Sequence, residues 1–299
     1  MQTMINKILS GIILCLCLFA NAGASGDRAF FWKVESETAT VYMLGSIHFA
    51  DESFYPLRNE IEIAFRNSDY LVVELDATSI SAEAYQQQVA KQGSYLGNDS
   101  IKNHVSRDTY HKLEQYLGKM GVPMQSVEKY RPGMLVLTLS ALEVMRLGLD
   151  QKLGIDLHFL NKAKNDAVGG EKKILELETL DEQFAIFMDF PDGELLLKET
   201  FYSMHESEAL LEKMVAIWKQ GDEKKMNQLL YEDAIDQYPA FISIYETLFY
   251  GRNTKMTDAI KGYLGNKGKY FFIVGAGHLI GEKGIVRLLE KSGYEASRL

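Results

Sequence analysis

The chain has 299 residues, 46% hydrophobic and 24% charged, with 32 Lys and Arg against 41 Asp and Glu for a formal net charge of −9. This balance belongs to a globular protein with ample core and excludes a disordered chain. The acidic excess, with no clustered Lys/Arg stripe, argues against a nucleic-acid partner.

Met1 to Ala24 has the pattern of a secretory signal peptide. Lys7 supplies the positive start, Ile8 to Ala20 is an apolar stretch too short to span a bilayer, and Ala22-Gly23-Ala24 fits a small-residue cleavage site. The pattern predicts an exported protein, periplasmic or secreted, whose mature chain starts near Ser25. Cys15 and Cys17 both lie in the apolar stretch, so the mature chain folds without disulfides. A lipid anchor on these cysteines is the competing reading, and the bulky residues before them stand against it. No later stretch is a continuous apolar run of spanning length, which predicts no membrane span in the mature chain.

Phe30 to Val34 and Thr38 to Leu44 read as a β-hairpin around the polar break Glu35-Ser36-Glu37. The second strand continues through Val41-Tyr42-Met43-Leu44-Gly45-Ser46-Ile47-His48, an apolar run ending in Gly-x-x-His. The same pattern returns as Phe271-Phe272-Ile273-Val274-Gly275-Ala276-Gly277-His278. In each copy the glycine allows a sharp turn out of a buried strand, and the histidine follows the strand end. Ligands bind at the carboxyl ends of strands in open α/β sheets, so the two histidines are placed to meet over one cleft. Gly-x-x-His is also a common string, and a structural loop is the plain alternative for either copy alone.

Leu57 to Asn67 has helical spacing and Tyr70 to Leu75 reads as a strand. The order strand, loop, helix, strand favours a parallel pairing through a right-handed crossover, which sets Glu74 and His48 near one sheet edge. Glu74 interrupts an apolar run, and carboxylates are rarely buried without a partner. Ser81 to Gly121 is helical and polar, and its His104 and His111 read as surface or structural residues. Met134 to Leu147 is an apolar helix expected against the sheet. Gly154 to Leu160 opens a further helix, with Asp156 at its N-terminus, where a carboxylate suits the macrodipole. His158, two residues on, does not share its face, so the two make a poor metal pair.

Lys172 to Glu178 reads as an alternating strand with Leu175 and Leu177 on one face and Glu176 and Glu178 on the other. A solvated face accounts for both glutamates cheaply. A helix follows over Asp181 to Met188. Pro191 to Gln220 is a long amphipathic segment with Leu197, Phe201, Met204, Leu211, Val215 and Trp218 on a core stripe. Helical patterns run on to about Leu264, and within them Arg252, Asn253 and Met256 open a helix. Arg252 suits a carboxylate or an anionic substrate group, or else a surface ion pair. The strand Tyr270 to Val274 leads to His278, and Gly281 to Gly284 precedes the helix Ile285 to Lys291. With no Pro/Gly/Ser-rich linker, residues 25–299 read as one domain. Its class is α/β, with mixed α+β as the variant: a central β core, two strand-to-Gly-x-x-His loops and a large helical insertion over about 81–264.

Taken in order, Leu44 to His48, Val73-Glu74-Leu75, Gly154-Ile155-Asp156, Leu177-Glu178-Thr179 with Gln183, Arg252-Asn253 with Met256, and Gly275 to His278 resemble the TraB/GumN family. Its wider relatives include the TIKI proteases and, more distantly, erythromycin esterases and the ChaN haem-binding proteins. The resemblance covers nearly all of the mature chain. It implies an exported metal-dependent hydrolase, most specifically a peptidase, in which His48, Glu74 and His278 bind a metal and carry peptide cleavage. Glu178 is a further expected ligand, and Arg252 is expected to hold a substrate carboxylate or the developing oxyanion.

Two imidazoles and a carboxylate suit a borderline divalent ion such as Mn, Co or Zn, with one position left open for water. The partner implied is a peptide or small-molecule substrate. Neither a His-Glu-x-x-His helix nor a Gly-x-Ser-x-Gly elbow is present in the sequence. Two alternatives stay open. One is a non-catalytic protein in which His48 and His278 ligate haem or a metal. The other is an esterase-like hydrolase in which a histidine acts as base without metal.

Overall fold

The computed structural model describes residues 28–165, 172–205 and 207–299. The expected signal peptide, with both cysteines, lies outside the described residues. The fold is mixed α/β. Strands β1 (Phe31–Glu35), β2 (Ala39–Ser46), β3 (Tyr70–Val73), β4 (Lys173–Glu176), β5 (Gly268–Gly275) and β6 (Ala296–Arg298) form one sheet in the order β4-β3-β5-β2-β1-β6. The helices are α1 (Asn59–Arg66), α2 (Ala82–Gln88), α3 (Arg107–Lys119), α4 (Pro132–Arg146), α5 (Ile155–Asn165), α6 (Leu180–Met188), α7 (Gly193–His205), α8 (Ser207–Gln220), α9 (Gly251–Leu264), α10 (Ala276–Leu279) and α11 (Ile285–Lys291), with shorter helical turns between them.

β1 and β2 form the expected antiparallel hairpin, with Phe31 opposite Leu44. β2 and β3 run parallel, as their strand-helix-strand order requires, but they do not pair directly. β5 lies between them, parallel to both. The reason is burial: Phe271, Phe272, Ile273 and Val274 are all fully enclosed, which suits a strand covered on both faces at the centre of the sheet. β6 pairs with the outer edge of β1 through Trp32 and Arg298. Its three residues carry no strand pattern that sequence reasoning would recognise.

One helical expectation is corrected. α4 packs on α6 and α7 rather than on the sheet. Glycines permit this approach, since a Cβ on Gly133 would stand 2.3 Å from the Phe187 carbonyl oxygen and one on Gly193 would stand 2.6 Å from the Pro132 ring. The amphipathic stretch 191–220 is helical over Gly193–His205 and over Ser207–Gln220, as its spacing predicts. Trp218 of α8 is buried and donates its indole N–H to the Gly45 carbonyl at 2.8 Å, tying this layer to the end of β2.

Register aligns the carboxyl ends of four strands. Ser46 stands opposite Gly275, and Val73 stands opposite both Ile273 and Glu176. Every residue that follows these ends is delivered to one edge. Gly45 and Gly275 are not in the left-handed region, so neither is required for a turn. Gly45 is required by close approach, because a Cβ there would stand 2.8 Å from Phe30 Cβ and 2.9 Å from Ala276 Cα.

Candidate active site at the carboxyl edge of the sheet

His48 leaves β2 and meets the first turn of α5. The Ile155 N–H donates to the Ile47 carbonyl at 3.1 Å, and a Cβ on Gly154 would stand only 2.2 Å from the His48 carbonyl oxygen. That contact brings Asp156 to His48, whose Nδ1–H donates to Asp156 Oδ2 at 2.9 Å, while Ser46 Oγ–H donates to Oδ1 at 2.8 Å. The helix dipole is therefore an incomplete account of Asp156, which is the orienting partner of His48. The Asp156 charge pushes the His48 pKa up to about 9, opposed by desolvation. The side chain is 55% exposed, so water screens this attraction.

Glu74 follows β3 and is nearly enclosed. Its Oε1 accepts from the Gly275 N–H at 2.7 Å, and its Oε2 accepts from Arg252 Nη2 at 2.6 Å. Glu178 lies alongside on the neighbouring strand extension, its N–H donating to the Glu74 carbonyl at 2.9 Å. Both Glu178 oxygens accept from Arg252, from Nε at 2.6 Å and Nη2 at 2.7 Å, and Gln183 Nε2 donates at 3.1 Å. Arg252 Nη1 donates to the Leu248 carbonyl at 2.9 Å. The Arg252 side chain is 16% exposed and its guanidinium bridges two carboxylates, so a surface ion pair does not describe it. The solvated-face account of Glu178 yields in the same way.

His278, in α10, is 2% exposed. Its Nδ1–H donates to Asn253 Oδ1 at 2.6 Å, and Asn253 Nδ2 donates to the Lys283 carbonyl at 2.9 Å. The second bond sets which way the amide faces, and so leaves the lone pair of the imidazole on Nε2. That nitrogen is 3.8 Å from Glu74 Oε1. Burial holds the His278 pKa down at about 4, against the pull of Glu74. Burial would push the Glu74 pKa up, but the charges of His278, Arg252 and His48 and the Gly275 N–H hold it down at about 2. With His278 neutral near pH 7, Arg252 is the cation in direct contact with Glu74.

The three side chains converge beside Gly275. A Cβ on that glycine would stand 3.6 Å from each of Glu74 Oε1, His48 Nε2 and His278 Cδ2. Thus His48, Glu74, Glu178, Arg252 and His278 all lie at this edge. His158 and His104 do not join them; their Nε2 atoms face Glu62 at 3.3 Å and Asp99 at 2.8 Å. Among the described residues no three His, Cys, Asp or Glu side chains already stand at metal-ligating separations. Sequence reasoning missed the supporting residues Asp156, Asn253 and Ser46. Their signal was position inside the quoted motifs, next to Ile155, Arg252 and Gly45.

A family model described as the TraB/PrgY/gumN family matches residues 30–298. The chain is 25% identical over 249 residues to the uncharacterized protein YbaP of Escherichia coli strain K12, an alignment covering 83% of this chain and 87% of YbaP. It is 21% identical to metalloprotease TIKI1 of Xenopus tropicalis, covering 92% of this chain and 62% of that protein. A TIKI metalloprotease homolog of Amphimedon queenslandica is 34% identical over 77 residues, 25% of this chain and 15% of that protein. No solved structure matches.

Proposed function

This chain belongs to the TraB/PrgY/gumN family, and on that premise we propose that it is an exported hydrolase that cleaves peptide bonds with a bound divalent transition metal, Mn, Co or Zn. The observation that carries the reading is the convergence of His48, Glu74 and His278 on one point beside Gly275. The donor chemistry fits a divalent ion. Asp156 and Asn253 hold the two Nδ1–H groups from behind, an arrangement that metal-binding histidines use to present Nε2. The carboxylates of Glu74, Glu178 and Asp156 against the one guanidinium of Arg252 leave an excess of two negative charges when both imidazoles are neutral. A proton on His48 meets part of that excess.

When bound at His48, His278 and Glu74, the ion supplies a Lewis acid for the scissile carbonyl and acidifies water. The chain's own residues do the rest. Burial keeps His278 neutral and its Nε2 available as a donor. Arg252 keeps Glu74 ionised and locks its rotamer, and Glu178, with both oxygens on Arg252, serves to position that guanidinium. His48 is the exposed one of the two histidines. The name of the relative TIKI1, a metalloprotease, supports peptide cleavage as the reaction.

One observation favours a metal-free hydrolase as the second reading. The Ser46-Asp156-His48 chain orients the imidazole and raises its basicity, which suits a histidine acting as base without metal. Metal analysis of protein purified without chelators, followed by a peptide-library screen with and without chelator, separates the two. The expected result is bound metal and chelator-sensitive cleavage. Cleavage indifferent to chelator selects the metal-free reading, and an intense visible band without cleavage selects haem binding.

A further inference from the structure

A cavity of about 580 Å³ opens between α1, α5 and the loops that precede them. Tyr55, Leu57 and Leu153 are its apolar lining; Leu57 is buried and the other two are half-buried. The Tyr55 hydroxyl donates to the Leu153 carbonyl at 2.7 Å, and its ring lies 4.8 Å from that of His158, which also lines the cavity. These two contacts fix the aromatic face before any ligand arrives. None of His48, Glu74 or His278 belongs to the lining, so this is a site apart from the cluster.

Small-molecule sites span roughly 300–1,000 Å³, so this volume holds a whole small ligand. Its lining carries two carboxylates, Glu52 and Glu62, and two ammonium groups, Lys152 and Lys162. Glu62 is committed: its Oε1 faces His158 Nε2 at 3.3 Å, and its Oε2 accepts from Lys162 Nζ, which ties α1 to α5. Glu52 and Lys152 are exposed, and among the described residues neither side chain makes a hydrogen bond or ion pair. One free charge of each sign therefore remains. A ligand of a single charge meets one of them and brings its like charge to the other, whereas a zwitterion matches both. The apolar body of such a ligand covers Tyr55, Leu57 and Leu153 and gains from their burial.

We propose that this cavity is a second binding site, for a zwitterionic peptide of dipeptide size with apolar side chains, its ammonium group met by Glu52 and its carboxylate by Lys152. The site stands independently of cleavage at the cluster. The test follows the isotope-labelled imidazole signals of His158 and His278 in the full chain while leucyl-phenylalanine is added. Chelator is present throughout, so the outcome does not depend on metal-assisted turnover. A saturable shift of His158 is expected, with His278 unmoved. N-acetyl-leucyl-phenylalanine, which lacks the ammonium group, and leucyl-phenylalanine amide, which lacks the carboxylate, are each expected to bind about threefold to fivefold more weakly, as suits exposed ion pairs.

Two exposed substitutions assign the ends. Glu52→Gln is expected to make the free and acetylated dipeptides bind equally while the amide stays weaker, and Lys152→Gln is expected to make the free dipeptide and its amide bind equally while the acetylated form stays weaker. Absence of a His158 shift overturns the site. A shift of His278 without one at His158 places the dipeptide at the cluster and overturns it as well. Equal binding of all three probes to the parent protein, or an unchanged preference in both variants, overturns the zwitterionic assignment.

Discussion

His48 and His278 reach the same point from opposite electrostatic positions: one is half-exposed with its pKa raised by Asp156, the other enclosed with its pKa lowered by burial. Groups that act as one constellation are not additive, since loss of one disables the rest. His48→Ala and His278→Ala are each expected to lower kcat/KM by about a thousandfold or more, with the double variant little worse than either; folded protein with full activity in either single variant would remove the shared role. The pH dependence of stability follows from His278. Its folded pKa of about 4 lies below the unfolded value of 6.5, so its stabilisation is complete above pH 6.5 and is lost as pH falls through 4. The loss is expected to be roughly 2–3 kcal/mol, read from denaturant melts at pH 7 and pH 4. His278→Gln should flatten that limb, leaving the further loss toward pH 2 that comes from Glu74.

Two helical turns of wide π geometry flank the cluster, and each seats a residue against it. Gln228–Glu232 carries Tyr231, whose hydroxyl donates to the Gly277 carbonyl at 2.9 Å. Glu246–Tyr250 carries Phe249, whose ring lies 5.1 Å from that of His278, and leads directly into Arg252 and Asn253. The strand-end glycines between these contacts separate sterics from chemistry. A Cβ at Gly275 makes ordinary contacts of 3.6 Å and its φ of −49° suits any residue. Gly275→Ala is therefore expected to melt within about 1 kcal/mol of the parent while losing most activity, because its methyl fills the point where the three groups meet. At Gly277 a Cβ would stand 2.5 Å from the Tyr231 hydroxyl. Gly277→Ala is expected to cost about 1–3 kcal/mol of stability in addition to activity. Equal melting curves for the two variants would contradict this account.

Across the molecule, the cluster is assembled from the ends of β2, β3 and β5, from α5, α9 and α10, and from the extension of β4. An ion binding only this folded arrangement adds to global stability. Chelator-treated protein is expected to gain about 2.7 kcal/mol when Mn, Co or Zn is added at a hundred times its Kd, and the His278→Ala variant is expected to gain far less. Equal gains in both proteins would place the ion elsewhere. Among the described residues no helix is long and apolar enough to cross a membrane. The mass of protein recovered from the periplasm is expected to correspond to a chain starting near Ser25, and an unprocessed Met1 would count against export by this signal.

The sequence by itself determined the local elements and the chemical inventory. The hairpin, the strand before His48, the strand before His278 and the strand before Glu74 were legible because a buried strand needs a run of aliphatic and aromatic residues, and that run is a local property. Only the tertiary structure decided who meets whom. That β5 enters between β2 and β3 depends on pairing between residues some two hundred positions apart, which periodicity does not encode. The partners of the charged residues follow from that strand order: Asp156 reaches His48 because α5 docks on the loop after β2, and Arg252 bridges Glu74 and Glu178 because β3 and β4 end side by side. A carboxylate at a helix start and an arginine on a polar helix each have a satisfactory local explanation in water. The enclosed edge of the sheet removes the water and makes the distant partner the one that counts.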